Sequence, residues 1–341
     1  MEYKLEVNRI SKETYNETLH LFEDSNLYQT YEYNLQAKGG KNMCTVVLKK
    51  GDKVLGVSIV RIVKLPFFNF GLAYIYRGPV WQRINVANSS EILSIFLKLL
   101  KEEFVLKRKL VLRISPNLLK ERDKNFEKLF FELGFTSRGK SAGANTFYVD
   151  LDYSLEELRK NLSRNWRKKL KKSESEGLRI VSGIEDSLFQ EVVNLYLEMV
   201  SRKRFEQGID VNKLKATQIY LPSSMKMIST ICYSNDVPIS GLAFSAIGKT
   251  GIPILAATSD SGFNYNGSYL LHWQMLVYLK ENGFKYFDLG GIDKEKNPNV
   301  YNFKHGMGGV EVSYMDVMDL GSNKFFNAIL KRIELLKKFI K

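Results

Sequence analysis

The densest run of residues able to do chemistry lies between 288 and 309. It reads Asp288-Leu-Gly290-Gly291-Ile-Asp293 and then Tyr301-Asn-Phe303-Lys304-His305-Gly-Met-Gly-Gly309. Two adjacent glycines at a strand end let the backbone turn sharply or approach a ligand closely. Gly306, Gly308 and Gly309 form a second backbone-rich loop directly after Lys304. A lysine between two such loops can neutralise a phosphate or hold the oxyanion that develops in acyl transfer. The same residues also make two ordinary turns with a surface lysine between them, and the spacing alone leaves both readings open. Asp288 and Asp293 are candidate bases, or they fix a strand end. His305 adjoins the lysine, yet a lone histidine more often holds structure by hydrogen bonds than takes a proton. The chain has three histidines and two cysteines, with no metal-ligand spacing among them, so metal catalysis is not expected. Nucleophile-elbow, P-loop and dinucleotide motifs are absent from the sequence.

A second concentration is basic. Arg164 to Lys172, RNWRKKLKK, carries Arg164, Arg167, Lys168, Lys169, Lys171 and Lys172. At helical spacing Leu155, Leu158, Leu162, Trp166 and Leu170 make one apolar stripe, which leaves the cations facing water. That is either a solvated helix face or a surface for a phosphate backbone. The segment FFNAILKRIELLKKFIK, within 322–341, is similarly amphipathic. It reads as a helix docked on the first domain, or as a contact with an anionic membrane surface.

The elements that must position these groups recur. CTVVLKK-GDK-VLGVSIVRIV and MISTICY-SND-VPISGLAFSAI both read as hairpins, with Gly56 and Gly241 in matching places. Each hairpin is followed by a strand, a helix and a further strand, at an offset of about 180 residues. The order predicts two tandem α/β domains, mixed sheets flanked by helices, spanning 1–150 and 151–321. This resembles the GNAT-type acyltransferase fold, which by itself assigns no chemistry. A CoA-binding member cradles pyrophosphate on a Gly-rich turn that opens a helix. Here the turns are QRINVANSSE and SDSGFNYNGSY, and neither carries that pattern.

Composition sets the class. The 341 residues hold 51 Lys plus Arg against 37 Asp plus Glu, a net charge of +14, with 44% hydrophobic residues. That is enough apolar content for a packed core, and it excludes disorder. The excess charge favours polyanionic partners. No apolar run reaches the ~20 residues of a membrane span. The first residues carry two acids and no apolar signal core, and the two cysteines are far apart, so a cytoplasmic protein is expected.

The segments YLLHWQMLVYLKENGFKYFDLGGID and VYNFKHGMGG resemble the C-terminal signature of the Fem-type (FemABX) aminoacyltransferases. Tyr28-Gln29-Thr30, Tyr76-Arg77-Gly78-Pro79, Leu112-Arg-Ile-Ser-Pro116 and the basic helix agree in order, so the resemblance spans nearly the whole chain. It implies two GNAT-like domains and no cofactor. It implies an amino acid taken from aminoacyl-tRNA and passed to an amine of a muramyl-peptide precursor of the cell wall. Compact relatives lack a long helical arm, and residues 155–215 are too short for one. The resemblance places Lys304 at the phosphate or transition state beside Phe303, Gly290, Gly291 and His305, and the 164–172 cations on the tRNA. It puts Lys38 and Tyr220 at the precursor's diphosphate. Where family members carry an acid before the proline of the "IDP" block, this chain has Ser115, which leaves other acceptors open, such as an amino sugar. An acyl-CoA-dependent N-acyltransferase is the alternative reading.

Overall fold

The structure is a computed structural model that describes residues 2–37, 40–64, 71–84, 90–141, 143–203 and 209–321. Lys38 and the segment 322–341 lie outside the described residues. In chain order the described strands are β1 (Tyr3–Val7), β2 (Met43–Lys50), β3 (Lys53–Lys64), β4 (Gly71–Tyr76), β5 (Val111–Ser115), β6 (Thr136–Ser137), β7 (Asn145–Asp150), β8 (Arg179–Gly183), β9 (Ile228–Ser234), β10 (Val237–Ile247), β11 (Thr250–Thr258), β12 (Tyr286–Asp288), β13 (Val310–Ser313) and β14 (Met318–Leu320).

Two units result, one formed by the chain up to Ala144 together with the chain from Ser313, the other by Asn145–Val312. Each holds a seven-stranded mixed sheet, ordered β1-β2-β3-β4-β5-β14-β6 and β13-β7-β12-β11-β10-β9-β8. The predicted duplication is visible strand by strand: β1 to β5 and β8 to β12 follow the same order, with one parallel neighbour pair in each. The last two positions show how the chain is divided. β14 completes the first sheet by pairing antiparallel with β5, and β7 completes the second by pairing with β12.

In the first unit alternation along β4 sends Ala73 and Ile75 into the core, while Tyr74 and Tyr76 point to the opposite face. The core face is covered by the helix Ser90–Leu100, whose Leu93, Phe96, Leu97 and Leu100 are buried. In the second unit the helix Gly267–Glu281 buries Leu270, Leu271, Trp273, Met275, Leu276 and Leu279 against Leu242, Phe244 and Phe287. Gly56 and Gly241 are not equivalent, despite their matching places in the hairpins. A Cβ on Gly56 would meet the Phe96 ring at 2.7 Å, whereas one on Gly241 would meet Leu195 and Val192 of the helix Asp186–Lys203.

The two parallel pairs differ in a way that matters for the site. β4 and β5 stay paired over five residues, Leu72 to Tyr76 with Val111 to Ser115. β11 and β12 pair only at Thr250 with Tyr286 and Gly251 with Phe287. Pro253, two residues on, has no N–H with which to extend a ladder. Among the described strands the edge of β11 therefore runs on without a partner there, beside the turn that begins at Asp288.

Candidate active site

That turn is built by Asp288. Its carboxylate is almost wholly buried, 1% exposed, and accepts from the Gly290 amide at 2.8 Å and from the Thr146 hydroxyl on β7. Thr146 also reaches the Gly290 carbonyl at 3.0 Å. Gly290 has φ +76°, a backbone state that a side chain would strain, so the glycine is required for the turn. The result is two carbonyl groups, those of Gly290 and Gly291, turned toward one cation. Lys304 Nζ donates to them at 3.0 and 2.9 Å.

Lys304 comes from the helix Pro298–His305, which Asn297 caps by accepting from the Val300 amide, with proline at its first position. Burial pushes the lysine down to about 8, partly offset by the nearby Asp288 charge. The ammonium has a third proton beyond the two that the carbonyls take.

Phe303 points from the same helix into an aromatic cluster. Its ring lies 4.9 Å from Tyr269, 4.8 Å from His272 and 5.8 Å from Trp166. Trp166, Tyr269 and Phe303 line a cavity of about 610 Å³ together with Ser163, Lys169, Gly262 and Gly267. Such a volume is within the range of small-ligand sites. The cavity therefore shares one wall with the basic helix and another with the Phe303–Lys304 helix, and it sits where the helix Gly267–Glu281 begins.

The predicted stripe 155–170 is interrupted. Ser163 accepts from the Trp166 amide and starts a new helix, Arg164–Glu174, after Leu155–Asn161 has ended. The buried set survives, because Leu158, Leu162, Trp166 and Leu170 are each at most 2% exposed. The six cations divide into two sets. Arg167 donates to the Lys160 and Leu162 carbonyls across the break. Lys169 bonds the Tyr269 hydroxyl at 3.0 Å, and Lys172 bonds the Asn264 carbonyl at 2.9 Å. Arg164, Lys168 and Lys171 are exposed and have no ion pair or hydrogen bond among the described residues.

The second glycine loop has a different purpose from the one its composition suggests. A Cβ on Gly306 would meet Trp166 at 2.9 Å and Ser163 at 3.0 Å, and one on Gly308 would meet the Asn161 carbonyl at 2.5 Å. Gly309 would meet the Tyr148 carbonyl at 2.8 Å. Gly306 and Gly308 seat the end of the Lys304 helix against the helix break, Gly309 lies on β7, and the Ser163 amide donates to the Gly306 carbonyl at 2.9 Å. Gly262 and Gly267 are likewise pressed on β10, at Ile239 and Ser240. His305 turns away from the cavity, stacked on Tyr301 with an edge contact to Phe147. Tyr220 stands 62% exposed at the end of the helix Val211–Tyr220.

Two residues of the arrangement were not singled out by the sequence, Thr146 and His272. His272 is 7% exposed, and its Nδ1 lies 2.8 Å from the Ser268 carbonyl. Burial, reinforced by the Lys304 charge, pushes it down to about 4, so the ring is neutral near pH 7. The repeated segment around it signalled only a core helix. Among the described residues no group of three or more His, Cys, Asp or Glu could hold a metal. No described helix is long and apolar enough to cross a membrane.

The FemAB family matches residues 10–209 and 212–334. No curated protein is matched by the sequence. Among solved structures the chain is similar to FemX, at 15% identity over 95% of this chain and 99% of that one, with a TM-score of 0.79. It is less similar to the C-terminal domain of a protein assigned as a lysylphosphatidylglycerol synthetase from Agrobacterium fabrum (12% identity, 96% and 98% covered, TM-score 0.56). A conserved protein of unknown function from Bacteroides thetaiotaomicron stands at the same TM-score, 0.56, with 10% identity and 93% and 99% covered. At these identities the structures speak for a shared fold, and the family match, which takes in most of the chain, speaks for descent: the protein belongs to the FemAB family.

Proposed function

We propose that this protein is an aminoacyltransferase that moves an amino acid from aminoacyl-tRNA to an amine of a cell-wall precursor. Family membership supports an acyltransferase of peptidoglycan synthesis. The observation that carries the finer reading is the shared cavity, walled on one side by Asn165, Trp166 and Lys169 of the basic helix and on another by Asn299, Asn302 and Phe303 of the helix on which Lys304 lies. A tRNA acceptor end is a single strand whose phosphates suit Arg164, Lys168 and Lys171, and whose terminal base suits an aromatic wall. Trp166, Tyr269 and Phe303 supply that wall.

In the proposed step the neutral acceptor amine attacks the carbonyl of the aminoacyl ester. The C–N bond forms, the negative charge gathers on the former carbonyl oxygen, and the free proton of Lys304 stabilises it. Collapse expels the ribose oxygen, which takes up the proton released by the attacking nitrogen. Amide, free tRNA hydroxyl and protein then balance without a protein base. Asp288 serves as a positioning residue, because it orients the two carbonyls that hold Lys304. Arg167, Lys169 and Lys172 shape the surface, while the three unpaired cations meet phosphate.

An acyl-CoA donor is the second reading, favoured by the cavity's position at the opening of a fifteen-residue helix, where a pyrophosphate would be held. Transfer of label from aminoacyl-tRNA, and separately from acetyl-CoA, onto muramyl-pentapeptide and amino-sugar acceptors distinguishes the two. Label moving from tRNA in the wild type and lost in Lys304→Ala is the expected result. Label moving only from acetyl-CoA rejects the tRNA reading.

A further inference from the structure

The first unit holds a cluster that the transfer step does not use. On the face of its sheet away from the helix Ser90–Leu100, β3 contributes Arg61, and its neighbour β4 contributes Tyr74 directly opposite. The guanidinium lies 4.9 Å from the Tyr74 ring. Tyr76 follows on the same face, 6.1 Å from Tyr74, and Tyr28 stands edge-on to both Tyr76 and Tyr33, at 5.1 and 5.2 Å. Arg77 closes one side, its guanidinium 3.4 Å from the Tyr314 ring centre and 5.9 Å from Tyr76.

The tyrosines are held firmly. Gln29, wholly buried, donates to the Tyr76 carbonyl at 2.7 Å and accepts from the Ile59 amide at 3.0 Å. This ties the segment carrying Tyr28 and Tyr33 across β3 and β4.

Arg61 is the unusual member. Among the described residues it has no carboxylate in salt-bridge range and no hydrogen bond, and its Nε is buried without a partner. The hydroxyls of Tyr74 and Tyr76 also make no hydrogen bond among the described residues. Arg113, on the same face, shows the contrast. It forms a forked pair with Asp319 at 2.7 and 2.8 Å. Burial pushes Tyr74 up to about 12 and Tyr33 higher still, so these phenols remain donors at neutral pH. A half-buried guanidinium costs free energy unless something negative meets it. Among the described residues its neighbours present phenol hydroxyls and ring faces, a combination that suits an oxyanion carried on an organic body.

We propose that the first unit carries an oxyanion-binding niche, formed by Arg61 and Arg77 among Tyr28, Tyr33, Tyr74 and Tyr76, which seats a carboxylate or phosphate of the acceptor. The link to the acceptor rests on the aminoacyl-transfer reading, whereas the niche itself does not.

The test is calorimetric titration of the full chain at low salt with three probes. These are an N-acetylated dipeptide with a free C-terminal carboxylate, the same dipeptide amidated, and N-acetylglucosamine 1-phosphate. The expected result is binding of a charged probe, no binding of the amide, and at least a tenfold loss in Arg61→Gln with no change in Lys128→Gln, an exposed lysine of the same unit. The preferred charged probe identifies the source as peptide terminus or sugar phosphate. Arg61→Lys keeps the charge without the fork and should lose several-fold, which decides the matter if Arg61→Gln fails to fold. Equal affinity in wild type and the Arg61 variants overturns the niche, as does a charged probe bound no better than the amide. Arg61-dependent binding in a protein that takes no amino acid from tRNA would keep the niche and reject the transfer reading.

Discussion

The lowered proton affinity of Lys304 has a consequence for stability that can be measured without any substrate. In the folded protein the lysine releases its proton at about 8, against an ordinary value of 10.5. Above roughly pH 10.5 it is neutral in both states, and below pH 8 it is charged in both. Between these limits the unfolded chain binds more protons, so folding stability rises with pH across the window. At about 1.36 kcal/mol per unit, the full rise is roughly 3 kcal/mol. Lys304→Met removes the proton and with it the slope. It also removes the bonds to the Gly290 and Gly291 carbonyls, a cost that does not depend on pH. Denaturant unfolding of wild type and Lys304→Met at several pH values from 7 to 10.5 isolates the term as the difference between the two curves. The titrating tyrosines and Cys232 are common to both proteins and cancel to first order. Wild type should gain on the variant by roughly 3 kcal/mol over the window. A flat difference, or one falling with pH, would refute the claim that burial has shifted this lysine.

Other outcomes follow from the same geometry. The rate of transfer should decline as pH rises through about 8 in the wild type, as the ammonium is lost, and Lys304→Arg should shift that decline upward in a pH–rate profile. Charge reversal of Arg164, Lys168 and Lys171 together should weaken tRNA binding and flatten its salt dependence by roughly two to three in log–log slope, measured by filter binding. The thermal transition should barely move, because these three side chains bond nothing that is described. Gly306→Ala should destabilise the protein by about 1–3 kcal/mol in denaturant unfolding, through overpacking against Trp166 and Ser163. Thr146→Val removes the hydroxyl held by Asp288 and by the Gly290 carbonyl. It should lower kcat more than KM, since the Lys304 seat loses definition while the cavity wall stays intact.

How much of this was legible in the sequence depends on the distance between partners along the chain. Hairpins and the repeated order of strands rest on short-range patterns, and these carry over into the structure. The break at Ser163 lies within a continuous apolar stripe, and periodicity is blind to it because Leu158 through Leu170 stay buried on either side. The function of Gly306 and Gly308 was hidden for another reason. Their close neighbours are residues 161 to 166, about 140 positions earlier, so their small size reads as a ligand loop unless the packing is known. Thr146 and Asp288 are separated by 142 residues, which no local motif spans.

The face carrying Arg61 makes the same point more sharply. The alternation of β4 tells a reader that Tyr74 and Tyr76 share a side, but says nothing of a cation among them. That follows only from register, with Arg61 opposite Tyr74. A shift of one residue would send Arg61 into the core with Val60 and Ile62, so the pairing of β3 with β4 decides both packing and chemistry. Gln29 then acquires a reason to be buried, because its amide joins Ile59 and Tyr76 and holds that register beside the tyrosines. Gln29→Leu should therefore loosen the Tyr28–Tyr33 segment and weaken oxyanion binding at the niche, while Lys304, in the other unit, keeps its titration near 8. If the variant binds the charged probe as the wild type does, Gln29 is a packing residue alone, and the ordering of the niche has another cause.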